Sequence, residues 1–203
     1  MIISILLVRH GSTKLNEEYR YVGSGLDEDL SPRGIKESEI LKDRIDALGV
    51  ESGKIYVSPM RRAISTAKII FGNEIDFDIV DELKEISFGD YEGKNYEELK
   101  EEEPYQKYID SNGEEAFPGG EDKKSFVNRT IKAFNRIVME AGSENISIVA
   151  HGGTVMSIME FLSGEDYFSF QIPPADGYLV KIKKENEGIH FISYNRIFDR
   201  LRA

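Results

Sequence analysis

Three short stretches of the chain combine cations, imidazoles and glycine. They are Arg9-His10-Gly11 (with Ser12, Thr13 and Asn16 close behind), Ser58-Pro59-Met60-Arg61-Arg62-Ala63, and Ala150-His151-Gly152-Gly153-Thr154. Together they hold two of the three histidines in the sequence. A phosphoryl group suits such a set. Guanidinium groups grip phosphate oxygens in a forked geometry, and helix N-termini add backbone N–H groups and a favourable dipole. A neutral imidazole can attack phosphorus, and a second can bind a non-bridging oxygen. Gly11 lets a ligand approach the backbone, while Ser12, Thr13 and Asn16 can donate hydrogen bonds or cap a helix. Each stretch taken alone also has a plainer reading: a solvated turn at Arg9-His10, a core histidine at His151, a helix cap at Asn16. There is no cysteine, which excludes disulfides, zinc–thiolate sites and cysteine nucleophiles. No His-x-x-x-His pair supports a metallohydrolase.

These residues need a sheet edge to bring them together. Ile2–Val8 is an apolar run without strict alternation, as in a strand buried on both faces. Lys54–Val57 and Asn145–Ala150 read as further short strands, and Ile75–Val80 as another. Ser31 and Pro32 open a helix that Gly49 closes. Ser58-Pro59 opens one that runs through Phe71, and Val155–Leu162 is a third. The clearest amphipathic helix spans Glu121–Ala141, with Phe126, Ile131, Phe134, Ile137 and Val138 on one stripe. Tyr178–Lys183 and Ile189–Tyr194 alternate as an antiparallel hairpin turning at Asn186 to Gly188. Residues 17–30 and 81–93 read as loops, 94–111 as two short acidic helical pieces broken at Pro104, and the tail as fraying apart from Ile197 and Phe198. Alternating strands and helices predict an α/β architecture with a mostly parallel sheet. In such a sheet the three stretches open toward the same edge, where ligands bind.

The 203 residues suit one domain more readily than two. A net charge of −11 argues against a nucleic-acid binder, yet a local cationic pocket in an acidic field still accommodates an anionic substrate. Ile2–Val8 is too short to span a bilayer and has no basic segment before it, so a cytoplasmic protein without a membrane partner is expected.

The stretch Leu7 to Asn16 resembles the opening signature of the histidine phosphatase superfamily, also called phosphoglycerate-mutase-like. The resemblance continues in order through Asp29 to Gly34, Ser58 to Ala67, Leu83 to Gly93 and Val149 to Gly153, so it covers residues from about 5 to 160. It implies a three-layer α/β/α fold with a C-terminal hairpin and a small helical cap, here residues 94–120 of a single domain spanning 1–203. It also implies roles. His10 matches the nucleophile that forms a phosphohistidine, and Arg9, Arg62 and His151 match the rest of the phosphate pocket. Gly152 and Asn16 join the phosphate-binding set, and Glu85 matches the acid that protonates the leaving oxygen and then activates water. The family pattern puts the pocket arginine before an alanine, which selects Arg62 and leaves Arg61 at the surface. Composition alone does not separate Glu85 from Asp81, Glu82 and Glu92.

Tyr21, Gly23, Ser87 and Tyr96 are further candidates for the substrate pocket, with Tyr105, Tyr108 and Phe117 as either pocket or packing. His190 reads as structural. No metal and no cofactor are expected. The short cap resembles the phosphatase branch, including broad-specificity and α-ribazole-5′-phosphate phosphatases. That makes a small-molecule phosphate ester, such as α-ribazole 5′-phosphate, the expected partner. A cofactor-dependent phosphoglycerate mutase is the first alternative and a non-catalytic phosphate-binding module the second. A homodimer is one option for the oligomeric state, which the sequence leaves open.

Overall fold

The computed structural model describes residues 1–111, 113–185 and 188–198. Six strands form one sheet: β1 (Ile2–Arg9), β2 (Lys54–Val57), β3 (Asp78–Ile79), β4 (Ile146–Ala150), β5 (Gly177–Glu185) and β6 (Gly188–Arg196). Their order is β3-β2-β4-β1-β5-β6. The pairs β1/β4, β2/β4 and β2/β3 are parallel, and β5 joins β1 and β6 antiparallel. The helices are α1 (Lys14–Glu17), α2 (Pro32–Ala47), α3 (Arg61–Phe71), α4 (Tyr96–Leu99), α5 (Glu103–Asp110), α6 (Lys123–Glu140) and α7 (Gly152–Ser163).

Because neighbouring strand residues point to opposite faces, β1 feeds two cores. Ile3, Ile5 and Leu7 pack with Phe134, Ile137 and Val138 of α6 and Ile158 and Met159 of α7. Leu6 and Val8 pack with Leu41 and Ile45 of α2 and Ala63, Ala67 and Ile70 of α3. This is the expected three-layer α/β/α arrangement. A third, smaller cluster joins Tyr91, Leu99, Tyr105 and Phe117, mostly within 94–120.

Local signals explain most boundaries. Ser31 Oγ accepts from Gly34 N at 3.0 Å, with Pro32 in the first helical position. Asp122 caps α6 by accepting from Ser125 N at 2.9 Å. Two expectations are corrected. The strand expected over Ile75–Val80 is only Asp78–Ile79, paired in parallel with Tyr56 and Val57 at the sheet edge, where Ile75 and Ile79 stay exposed and little apolar burial favours a longer strand. Ser58-Pro59 does not begin α3, which starts at Arg61 after the N-cap Met60; the Ser58 hydroxyl instead meets His151, as described below. Asn186 and residues 199–203 of the expected turn and tail lie outside the described residues.

Candidate active site

Strands β1 and β4 end side by side, with Arg9 paired to Ala150. His10 N then donates to Ala150 O and Ser58 N to Val149 O, each at 3.0 Å. His10, Ser58 and His151 therefore leave the sheet at one edge, and α3 and α7 begin just beyond it.

His10 Nδ1 lies 2.7 Å from Gly11 O. A carbonyl only accepts, so Nδ1 carries the proton and Nε2 keeps its lone pair. Arg62 Nε donates to that lone pair at 3.2 Å and to His151 Nδ1 at 3.3 Å. His151 therefore holds its own proton on Nε2 and donates it to Ser58 Oγ at 2.7 Å. The two rings meet edge to face, 5.0 Å between centroids. Burial, then the Arg62 charge, hold both imidazoles well below the usual histidine range. Both are neutral near pH 7.

Arg62 is fully buried. Its Nη1 donates to Leu26 O at 2.7 Å and its Nη2 to Gly23 O at 2.9 Å. Glu92 fixes that loop by accepting from Gly23 N, Gly25 N and Phe88 N. Arg9 Nη1 donates to Ile172 O at 2.6 Å, but its buried Nε has no hydrogen-bond partner. Leaving such a donor unmet costs about 1–3 kcal/mol or more, and a phosphate oxygen is an acceptor that would meet it. Arg61 is an exposed side chain paired with Asp29 at 3.1 Å, as the family pattern implied.

Glu85 reaches the same edge from the opposite wall. Its Oε1 accepts from Ile86 N at 2.9 Å and its Oε2 from Gly153 N, at the start of α7, at 3.0 Å. A Cβ on residue 153 would overlap Oε1, so only glycine lets the carboxylate sit on the helix terminus. Arg129, from α6, clamps the loop that carries Glu85. Its Nη1 donates to Glu82 O and Lys84 O at 2.6 and 2.9 Å, its Nη2 donates to Glu85 O at 3.0 Å, and Nε and Nη2 fork onto Glu121 at 2.8 Å.

Above this floor opens a cleft of about 730 Å³, lined by Arg9, Asn16, Glu85, Gly152 and Gly153 and, farther out, by aromatic side chains and Lys123. Asn16 also caps α1: its Oδ1 accepts from Thr13 N at 3.1 Å, which leaves the Nδ2 end for a ligand. Of the substrate-pocket candidates, Tyr21 lines the cleft. Gly23 serves it only through the carbonyl that holds Arg62. Ser87 and Tyr96 do not line it. Ser87 turns its carbonyl to Glu121 N and its hydroxyl to Gly89 N. Tyr96 is exposed because α4 buries Leu99 instead. Tyr108 lines the cleft, whereas Tyr105 and Phe117 pack in the small cluster with Tyr91 and Leu99. His190 is exposed on β6, 3.3 Å from Glu185. Among the described residues no cluster of three or more His, Cys, Asp or Glu has the arrangement of a metal site, and no helix is long and apolar enough to cross a membrane.

Sequence reasoning missed Ser58, Glu92, Arg129, Lys123 and Tyr167. Ser58 sat under a capping signal, and Glu92 under a composition that makes an acid look solvated. Arg129 lies on the polar side of a helix whose apolar stripe drew attention.

Residues 5–196 match the model of the histidine phosphatase superfamily (branch 1), and the chain belongs to that superfamily. A Hydrogenobacter thermophilus protein, provisionally named phosphoserine phosphatase 2, is 34% identical over 171 residues, covering 79% of this chain and 78% of the relative. The adenosylcobalamin/alpha-ribazole phosphatase of Escherichia coli is 28% identical over 162 residues, covering 78% of each. The crystal structure of the alpha-ribazole phosphatase from Shigella flexneri shares the fold, with a TM-score of 0.81 over 99% of this chain and 100% of the other at 23% identity. The chain is a phosphatase of this superfamily.

Proposed function

We propose that the protein hydrolyses small organic phosphomonoesters through a phosphohistidine on His10, without a metal ion. The observation that carries this reading is the His10 ring, neutral, buried and locked by Gly11 O so that its Nε2 lone pair faces Arg62. In the first step Nε2 bonds to phosphorus as the bond to the leaving oxygen breaks, and Glu85 gives that oxygen its proton. Positive charge spreads onto the imidazole, whose Nδ1–H is already shared with Gly11 O. Arg9, Arg62, Asn16 and the Gly152 end of α7 offset charge on the transferring group, and His151 supports Arg62 by accepting from its Nε. In the second step Glu85, now a carboxylate, takes a proton from water as that water attacks phosphorus and the P–N bond breaks. Phosphate leaves and His10 returns to its neutral form.

Relatives named for phosphoserine and for alpha-ribazole support a small organic ester. The test is a phosphate-release panel in chelator-treated buffer. It includes 4-nitrophenyl phosphate, O-phosphoserine, α-ribazole 5′-phosphate, and 3-phosphoglycerate with its bisphosphate cofactor. His10→Ala is expected to lose about a thousandfold or more in kcat, and rapid acid quench of the wild type to trap phosphate on His10. Wild-type rates in His10→Ala would end the nucleophile assignment. Isomerisation of phosphoglycerate outrunning phosphate release would make the protein a mutase.

A further inference from the structure

We propose that Lys123 determines specificity by binding a carboxylate on the leaving group, so that the favoured substrates are phosphate monoesters of hydroxy acids. The inference rests on the reading above in one respect: Glu85, as the acid, marks the side of the cleft where the leaving group lies.

From Glu85 the wall runs outward to Lys123. A Cβ placed on Gly153 would overlap Glu85 Oε1 and stand 3.1 Å from the Phe126 ring, so Glu85 and Phe126 close on the same point. Lys123 lies one turn before Phe126 on α6, on the same side of the helix. Tyr167 lines the cleft beside them, and the Glu85 charge helps burial to raise its phenol. The Lys123 ammonium sits 4.8 Å from the Tyr167 ring centroid and 5.5 Å from that of Phe168. The order Glu85, Phe126 and Tyr167, Lys123 puts a cation beyond the leaving oxygen and away from the phosphate floor.

That cation has an unequal partner. Lys123 Nζ pairs with Glu114 Oε1 at 2.5 Å, yet the Lys123 side chain is 15% exposed and that of Glu114 62%. The ammonium is desolvated by the cleft wall, while its counterion faces water from the 113–117 loop. A pair with one member in solvent contributes little, so a substrate carboxylate can take the place of Glu114 at small cost. The other cations of the cleft are committed differently. Arg9 belongs to the phosphate floor, and Arg20 is held by the carboxylates of Glu18 and Glu98 and by Gly93 O. In a chain of net charge −11 a second anion on the substrate is repelled elsewhere, which sharpens the selectivity of one placed ammonium.

The test compares kcat/KM for 3-phosphoglycerate and glycerol 3-phosphate, which differ in a carboxylate against a hydroxymethyl group. 4-Nitrophenyl phosphate serves as the check on chemistry. Wild type is expected to favour 3-phosphoglycerate by about tenfold or more. Lys123→Met should lose most of that ratio, chiefly through KM, and Lys123→Arg should keep it. Glu114→Gln, which removes the competitor, should lower KM for 3-phosphoglycerate without a matching change for glycerol 3-phosphate. A full wild-type ratio in Lys123→Met overturns the assignment. So does a wild type that cleaves 4-nitrophenyl phosphate and glycerol 3-phosphate but shows no preference for the carboxylate; that result leaves the phosphatase reading standing. Failure to cleave any of the esters would instead end the phosphatase reading and this inference with it.

Discussion

Around His10 a side-chain network of His10, Arg62, His151 and Ser58 is anchored to main chain: Gly11 O on the imidazole, Gly23 O and Leu26 O on Arg62, Ile172 O on Arg9, and Gly153 N on Glu85. Around Lys123, in the cleft that Arg9 and Glu85 also line, the contacts are side chain to side chain: a carboxylate, two aromatic faces and a neighbouring rim of Tyr21, Phe88 and Tyr108. The first region hangs on strand ends and helix starts, whose positions the two large cores dictate. The second hangs on a small aromatic cluster and loops. Backbone-set groups keep their geometry through the reaction, as charge stabilisation requires. Side-chain contacts can be exchanged for a ligand without disturbing the fold. On the proposed function, the first region would carry the chemistry and the second an adjustable choice of leaving group.

Replacing Glu85, the proposed acid, tests this division most severely. Glu85→Gln keeps an acceptor oxygen for only one of the two backbone N–H groups, Ile86 N or Gly153 N, and has no acidic proton to give. It should slow glycerol 3-phosphate about 10²–10⁴-fold, and 4-nitrophenyl phosphate, whose leaving group needs little protonation, far less. Equal slowing of both esters in steady-state assays would show that the carboxylate only orders the loop.

Arg129 tests the same floor from beneath. It touches no substrate and acts through the carbonyls of Glu82, Lys84 and Glu85. Arg129→Met frees three carbonyls and leaves Glu121 without its forked partner. A loss of about 2–4 kcal/mol in denaturant melts is expected. If the clamp positions Glu85, kcat for glycerol 3-phosphate falls about tenfold or more with little change in KM, and 4-nitrophenyl phosphate is less affected. A purely structural arginine would weaken both esters alike.

The neutral imidazoles give a pH signature that the region around Lys123, which has no histidine, does not share. His10 and His151 are held below the ordinary value by burial and Arg62, while in the unfolded chain they titrate near 6.5. Between the folded and unfolded values the unfolded chain binds more protons, so stability rises with pH through that window. It is fully present above about 6.5 and is lost as the pH falls, by about 1.4 kcal/mol per pH unit for each histidine. Melts of the ligand-free protein from about pH 5 to 7 should show this slope, and His151→Asn should remove about half of it. An unchanged slope in the variant would mean that His151 is not held neutral.

The same contrast governs what the sequence discloses. Strand β1, the capped start of α2 and the amphipathic stripe of α6 are written in local patterns, and the three glycine-bearing junctions follow from them. The choice of Arg62 over Arg61 comes from the family pattern, which places an arginine before an alanine such as Ala63; Arg62 is buried and Arg61 exposed. The packing of residues 94–120 was not legible in local patterns. Tyr96, Tyr105 and Tyr108 share one composition, yet Tyr96 faces solvent, Tyr105 packs and Tyr108 lines the cleft. Which face of a short helix turns inward depends on tertiary partners such as Phe117. Ser58 and Glu92 are similar cases: their roles come from His151 and Gly23, far away along the chain.

Tyr19 offers the mildest test of the adjustable region. It follows the C-cap of α1 with φ 56°, a left-handed conformation that glycine adopts freely and tyrosine does not. The strain is about 1 kcal/mol, yet the side chain is 89% exposed at the cleft wall and buries almost nothing in return. Strain without burial fits a side chain kept for contact with a ligand. Tyr19→Gly should therefore raise stability by a few tenths to about 1 kcal/mol, and raise KM for 4-nitrophenyl phosphate a few-fold while kcat holds. If KM does not move, Tyr19 only closes the α1 turn, and the adjustable surface reduces to Lys123 and the aromatic wall behind it.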